Sequence, residues 1–320
     1  MRRLVAVRLL HAVVVLFLVT TIAFFLIHFA PGDPFSFDQP AISGDVRERM
    51  RAAFGYDRPL LEQYARYLGN VGTGNFGFSH LMQIPVSRVL AAALPRTLLL
   101  MGFALAISFT LGIRLGVYEV IHDGTRRARA SKGAALLLYS LPDFWFALMM
   151  LLLFAYWVPV LPAGGMTDVM HEYMGTGQAI WDRIRHLILP LATLVLLFTA
   201  LISRYQRAAL LEVLPSEYVR MARAKGVVAS EVVSRHALRN ALLPMITLAG
   251  LAFPTLLGGA VFVERVFSWP GMGLMLINAI GVRDYPLVMA SVVVGAVMVI
   301  VGNLLADIAY GLADPRVRVR

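Results

Sequence analysis

The sequence predicts an all-α polytopic membrane protein with six transmembrane helices. Hydrophobic residues make up 59% of the 320-residue chain and charged residues only 15%. Soluble domains run at roughly 45–50% and about 25%. The mean hydropathy is +0.73, and the apolar residues gather into runs of about 20, the length a helix needs to cross roughly 30 Å of hydrocarbon. Inside a bilayer every backbone N–H and C=O must be satisfied within the chain, so such runs fold as helices.

The first run, Leu9–Ala30, follows Arg2, Arg3 and Arg8. It is too long for a signal-peptide core of about 7–15 apolar residues and reads as an uncleaved span, residues 1–30, with its N-terminus inside. Pro31-Gly32-Asp33-Pro34 breaks it. Residues 31–94 form an extracytoplasmic segment with two short amphipathic helices, Val46–Phe54 and Leu60–Leu68, separated by Gly55 and Pro59. Gly69–Gly77 reads as a loop. Five further spans are expected at Thr97–Val120, Gly133–Val158, Leu187–Arg204, Ala241–Val263 and Pro286–Tyr310, within a core of residues 95–311.

A net charge of +10 would suggest nucleic acid as the partner of a soluble protein. Here the basic residues concentrate in 122–132, in 205–240 and in the tail, 312–320. The positive-inside rule then places these loops and both termini in the cytoplasm, and no nucleic-acid partner is expected.

Cysteine is absent, which removes disulfides, thiolate metal sites and thiol nucleophiles. No G-x-x-x-x-G-K-[ST], H-E-x-x-H or G-x-S-x-G pattern occurs. The seven histidines are scattered, none with a convincing ligand partner at helical spacing, so neither a catalytic residue nor a metal site is expected. Asp143 is the one carboxylate deep in a span, about eleven residues beyond Lys132 and roughly 15 Å into the bilayer on a regular helix. Two readings stay open for it, an aqueous pathway or a paired structural role.

The longest polar interruption of the second half is Pro215–Thr247. Ser216 is a candidate N-cap and Glu217 suits a first turn. Tyr218, Val219, Met221, Ala222 and Ala224 give a short helix flanked by Arg220, Arg223 and Lys225. Gly226 stops it, since glycine takes the left-handed C′ conformation without steric cost. Ser230 and Glu231 restart a helix that carries Arg235, His236, Arg239 and Asn240, and Pro244 opens the next span. Helix, glycine hinge and helix make a knob between two spans.

Glu217-Tyr218-Val219-Arg220-Met221-Ala222-Arg223-Ala224-Lys225-Gly226, followed by Arg235 to Pro244, resembles the EAA loop of ABC importer permeases, in the branch that handles dipeptides, oligopeptides and nickel. Arg220-Met221 replaces the Glu-Ala of the generic loop, and the glycine-to-proline spacing is longer, both as in that branch. Pro31-Gly32-Asp33-Pro34, Leu94-Pro95-Arg96-Thr97, Ser140 to Trp145, Glu264 to Gly273, Arg283-Asp284-Tyr285-Pro286 and Asp314-Pro315-Arg316 resemble it as well, so the likeness covers nearly the whole chain.

The resemblance implies a type I ABC importer permease fold and a permease subunit that is not itself an enzyme. The EAA loop, 212–244, would couple to a cytoplasmic ATPase through Glu217, Tyr218, Ala222, Arg223, Ala224, Lys225, Gly226, His236 and Pro244. Asp143 would be a candidate pathway residue. The implied partners are a second, homologous permease, two ABC ATPase subunits and an extracytoplasmic solute-binding protein. ATP and Mg would reside in the ATPases, with no cofactor on this chain. The implied setting is the bacterial cytoplasmic (inner) membrane. Peptides are the expected substrate, with nickel or glutathione-like molecules as alternatives. A stand-alone secondary transporter would need intramembrane ionisable pairs or inverted repeats.

Overall fold

The computed structural model describes residues 2–29, 44–53, 55–80, 82–252 and 260–313. The Pro31–Pro34 and Asp314–Arg316 motifs lie outside them. In chain order the helices are α1 (Arg2–Phe29), α2 (Gly44–Ala53), α3 (Leu60–Gly72), α4 (Val86–Ile121), α5 (Arg126–Ser140) and α6 (Asp143–Leu151), then α7 (Thr176–Val213) and α8 (Glu217–Ala224). After α8, helix α9 starts at Ala229–Glu231, passes through a π-helical turn at Val232–Ala237 and ends in Leu238–Ala241. The last are α10 (Leu243–Ala252), α11 (Val261–Val266), α12 (Met272–Gly281) and α13 (Tyr285–Ala313). Among the described residues the only β pairing is an isolated bridge between Phe78 and Pro85.

The expected six spans are matched in part. Among the described residues four helices are long and apolar enough to cross a membrane: α1 over Leu10–Phe29, α4, α7, and α13 over Tyr285–Leu305. A fifth arises if α5 and α6 count as one, but they meet at a bend of 106°. The cause is Pro142, which has no N–H to give and pushes its predecessor out of the helical region. Leu141 accordingly sits at φ −82°, ψ 139°. The expected Ala241–Val263 span includes residues outside the described set, which separate the ten-residue α10 from the start of α11. At the other extreme α4 and α7 run to 36 and 38 residues, well past their apolar stretches.

Two compact units share the chain, Met1–Pro95 with Leu274–Ile300, and Arg96–Gly273 with Val301–Arg320. In the first, Phe24, Tyr285 and Met289 are buried beneath Tyr56, Leu60, Tyr64 and Tyr67. Leu60, Tyr64 and Tyr67 recur at i, i+4 and i+7, one face of α3. His28 stacks on Phe24 at 3.9 Å between centroids and meets Gln63 Oε1 at 3.2 Å. Burial pushes the Tyr67 phenol up to about 12. The opposite side of α3 carries Glu62 between Arg58 (2.7 Å) and Arg66 (3.1 Å). The Arg58 hydrogen bond, helped by Arg66, holds the Glu62 carboxyl below its ordinary range. Ser79 donates its hydroxyl to the Asp284 carboxylate.

In the second unit, Leu100, Met101 and Ala104 of α4 pack with Ala147, Leu189, Leu194, Val263, Phe267 and Trp269. A polar knot ties two of the segments noted in the sequence. Glu264 is fully buried. Its Oε1 accepts the Thr97 hydroxyl and its Oε2 the Gly273 N–H, both at 2.7 Å. Thr97 Oγ1 in turn accepts the Met272 N–H at 2.7 Å, and Trp269 Nε1 donates to the Arg96 carbonyl at 3.1 Å. Gly271 is required here, because a Cβ would collide with both Thr97 and Glu264. Along α4, Gly112 and Gly116 let α7 approach. A Cβ on either would come within 2.7–2.8 Å of Ile202 or the Ser203 carbonyl.

Asp182 brings two of the histidines together. Its carboxylate meets His171 Nδ1 at 2.7 Å and His186 Nδ1 at 3.0 Å, and accepts the Asp168 N–H at 3.0 Å. These contacts pin the loop before α7 to the start of that helix.

Candidate functional site

The knob after α7 is built from both directions of its sequence. Ser216 adopts the extended N-cap conformation (φ −64°, ψ 150°), but its hydroxyl makes no capping bond. Glu217 occupies the first turn, where its charge suits the unsatisfied N–H groups. Three residues apart on one face of α8, Val219 (0% exposed) and Ala222 (7%) are buried. They pack on Val232, Val233, Ala237 and Ala241 of α9, on Leu210 of α7, and near Val117, Val120 and Ile121 of α4. Full burial of one valine stabilises by roughly 1.5–3 kcal/mol, so the knob is fastened to the long helices rather than hung from them.

Gly226 ends α8 at φ +80°. Its N–H donates to the Arg223 carbonyl at 2.9 Å, and the Val227 N–H to that of Ala222 at 3.3 Å. This is the Schellman closure, in which a left-handed residue satisfies carbonyls the helix leaves open. Tyr218 is tied to the second helix by a 2.7 Å hydrogen bond from Asn240 Nδ2. Arg235 and Glu231 pair at 2.5 Å along α9.

Eight of the nine residues expected in the coupling loop are exposed: Glu217, Tyr218, Arg223, Ala224, Lys225, Gly226, His236 and Pro244. Ala222 is the exception. Its small size serves packing inside the knob, not access by a partner, and only Ala224 and Gly226 keep an open approach. Met221, 57% exposed, joins that outward face. The π-helical turn under it has no composition signal. Asp143 belongs elsewhere, exposed in the first turn of α6 directly after the break at Pro142. It therefore does not lie along a regular helix, and the depth of roughly 15 Å counted on one does not apply.

Residues 108–319 match the family model described as binding-protein-dependent transport system inner membrane component, and residues 1–101 match the model for the N-terminal part of such membrane components. The chain belongs to this permease family. The oligopeptide transport system permease protein AppB of Bacillus subtilis is 38% identical over 97% of each chain. A putative peptide permease of Brucella ovis is 41% identical over 98% of each. The dipeptide transport system permease protein DppB of Escherichia coli is 36% identical over 94% of each. Among solved structures, the inward-facing MetNI methionine ABC transporter superposes with a TM-score of 0.56 at 19% identity, covering 74% of this chain and all of that one. That likeness establishes the helical fold alone. As an inner membrane component, the permease is the translocating part of an ABC importer. ATP hydrolysis and substrate capture belong to partner proteins.

Proposed function

We propose that this permease carries di- or oligopeptides across the inner membrane as one of two related membrane subunits, with the outward face of α8 receiving the stroke of an ATPase. The observation that carries the reading is the double character of the knob. Val219 and Ala222 root it in α4, α7 and α9, while Met221, Ala224 and Lys225 are exposed. A part rooted on one side and free on the other passes displacement to the helices instead of absorbing it. Arg223 and Lys225 offer charge to acidic groups of an ATPase. The basic loops support a cytoplasmic knob and cytoplasmic termini. Nickel and glutathione-like molecules are alternative cargo, separable by uptake of each labelled compound.

Asp143 fits a place on the pathway. If the bend lies within the bilayer, its non-helical Leu141-Pro142 backbone must be buried in protein or line water, and Asp143 follows it directly.

Replacing Gly226 by Trp tests the coupling role. A Cβ there meets nothing beyond the adjoining residues within 4 Å, and the direct cost is the left-handed backbone, about 1–2 kcal/mol. Membrane insertion and assembly are expected to survive while ATP-driven peptide uptake by the reconstituted importer is lost. Full uptake by Gly226→Trp would overturn the assignment. So would uptake by the purified chain alone in liposomes without ATP.

A further inference from the structure

A cavity of about 450 Å³ lies among α4, α5 and α7, lined by Glu119, Lys132, Leu136, Tyr139, Arg204 and Arg207, with Tyr205 at its edge. Three cations and one carboxylate share the lining, and a second carboxylate, Asp123, lies close enough to feel the Lys132 and Arg207 charges. Glu119 is 1% exposed and accepts the Ser131 hydroxyl at 2.6 Å. Lys132 pairs with Asp123 outside the cavity. The Arg204 guanidinium sits 4.1 Å over the Tyr139 ring, which fixes its plane. Arg207 keeps its Nε–H away from solvent without a hydrogen-bond partner. Arg204 and Arg207 both line the cavity, and a planar arginine fork matches phosphate oxygens better than an ammonium does. At the mouth, Leu136 is 54% and Tyr139 53% exposed. An apolar side chain and an aromatic ring at that level suit the membrane–water interface.

We propose that this cavity holds the phosphodiester headgroup of an anionic phospholipid, with Arg204 and Arg207 on the phosphate oxygens and Leu136 and Tyr139 beside the acyl chains. Basic pockets between helices on the cytoplasmic side have the chemistry for such headgroups. The placement in the inner leaflet rests on the orientation proposed above, whereas the headgroup site itself does not.

The test uses the whole importer in nanodiscs of phosphatidylcholine doped with phosphatidylglycerol, where both leaflets are alike and orientation cannot affect the result. Lipids retained after detergent extraction are weighed by native mass spectrometry. The wild type is expected to keep phosphatidylglycerol in preference to phosphatidylcholine. R204Q/R207Q should lose that preference by roughly tenfold or more, as befits two cations removed from a lipid phosphate. R204K/R207K should restore part of it, and R126Q/R127Q, which removes the same charge from the exposed start of α5, should leave it intact. If the double variant does not assemble, the exposed Arg204→Gln alone gives a smaller loss in the same readout. Equal retention in wild type and R204Q/R207Q would overturn the proposal, as would an equal loss in R126Q/R127Q. Inorganic phosphate that binds with no lipid retained would assign the cavity to a free anion and overturn the lipid headgroup. A cross-link from Tyr139 to the second permease, again with no lipid retained, would overturn the site.

Discussion

A buried carboxylate persists only where donors meet its oxygens, and Glu264 meets that condition through Thr97 and the Gly273 backbone. Glu264→Ala strands both donors and is expected to cost about 3 kcal/mol, seen as a lower thermal midpoint of the purified importer. Glu264→Gln keeps one acceptor oxygen and should cost about half of that; an unchanged midpoint in both would deny the knot a structural role. The two segments that form it stood out in the sequence, but nothing in either announced that they meet, because hydrogen bonding across 167 residues leaves no local pattern. His80 allows a second forecast. Burial holds its imidazole below the ordinary range against the pull of the Asp284 charge. The fold therefore favours the neutral ring, and the unfolded chain takes the proton first. This contribution is intact above the unfolded value of about 6.5 and is lost as pH falls through the lower folded value. Proteolysis at Arg58 should accelerate as pH drops from about 7.5 to about 5, and His80→Gln should flatten the profile. A profile equally steep in the variant would place the titration elsewhere.

Helices α4 and α7 meet through glycine, and the spacing Gly112 to Gly116 is the small-residue repeat that lets membrane helices approach closely. Gly116→Leu should therefore cripple assembly, read as a several-fold fall in folded permease on fluorescence-detected size exclusion. Gly102→Leu, on the same helix with open space around its Cβ, should be tolerated. Neither that contact nor the prolongation of the helices was read from the sequence. Apolarity marks the part of a helix that touches lipid, whereas α4 and α7 continue into polar residues whose helicity is set by packing. The break at Pro142 was foreseeable from the residue type, but its 106° angle was not. Gly226 was fully legible, because a positive φ at a helix end admits few other residues. Ala222 was misjudged. Only the face of α8 that Val219 buries reveals that it points inward.

At the scale of the whole molecule, the charge asymmetry of the loops demands one orientation, and a chain free of cysteine is suited to testing it. Single cysteines at Met170 and Arg127, both exposed, should behave oppositely in intact cells. A membrane-impermeant thiol reagent is expected to label Met170→Cys and to spare Arg127→Cys; the reverse pattern would invert the topology. Membership of the permease family was legible because its motifs are spread along most of the chain, and 36–41% identity to peptide permeases agrees with them. The number of spans was less so, since hydropathy counts apolar runs and does not register the 106° bend between α5 and α6. The long-range contacts also have a consequence in time. A ribosome adds roughly 5–20 residues per second, so Thr97 waits on the order of ten to thirty seconds for Glu264, 167 residues later. Ser79 waits longer still for Asp284, 205 residues on. A nascent chain released before residue 264 can close neither contact, so a truncated product carries into the bilayer a visible sign of its incompleteness, open to any protease that surveys the membrane.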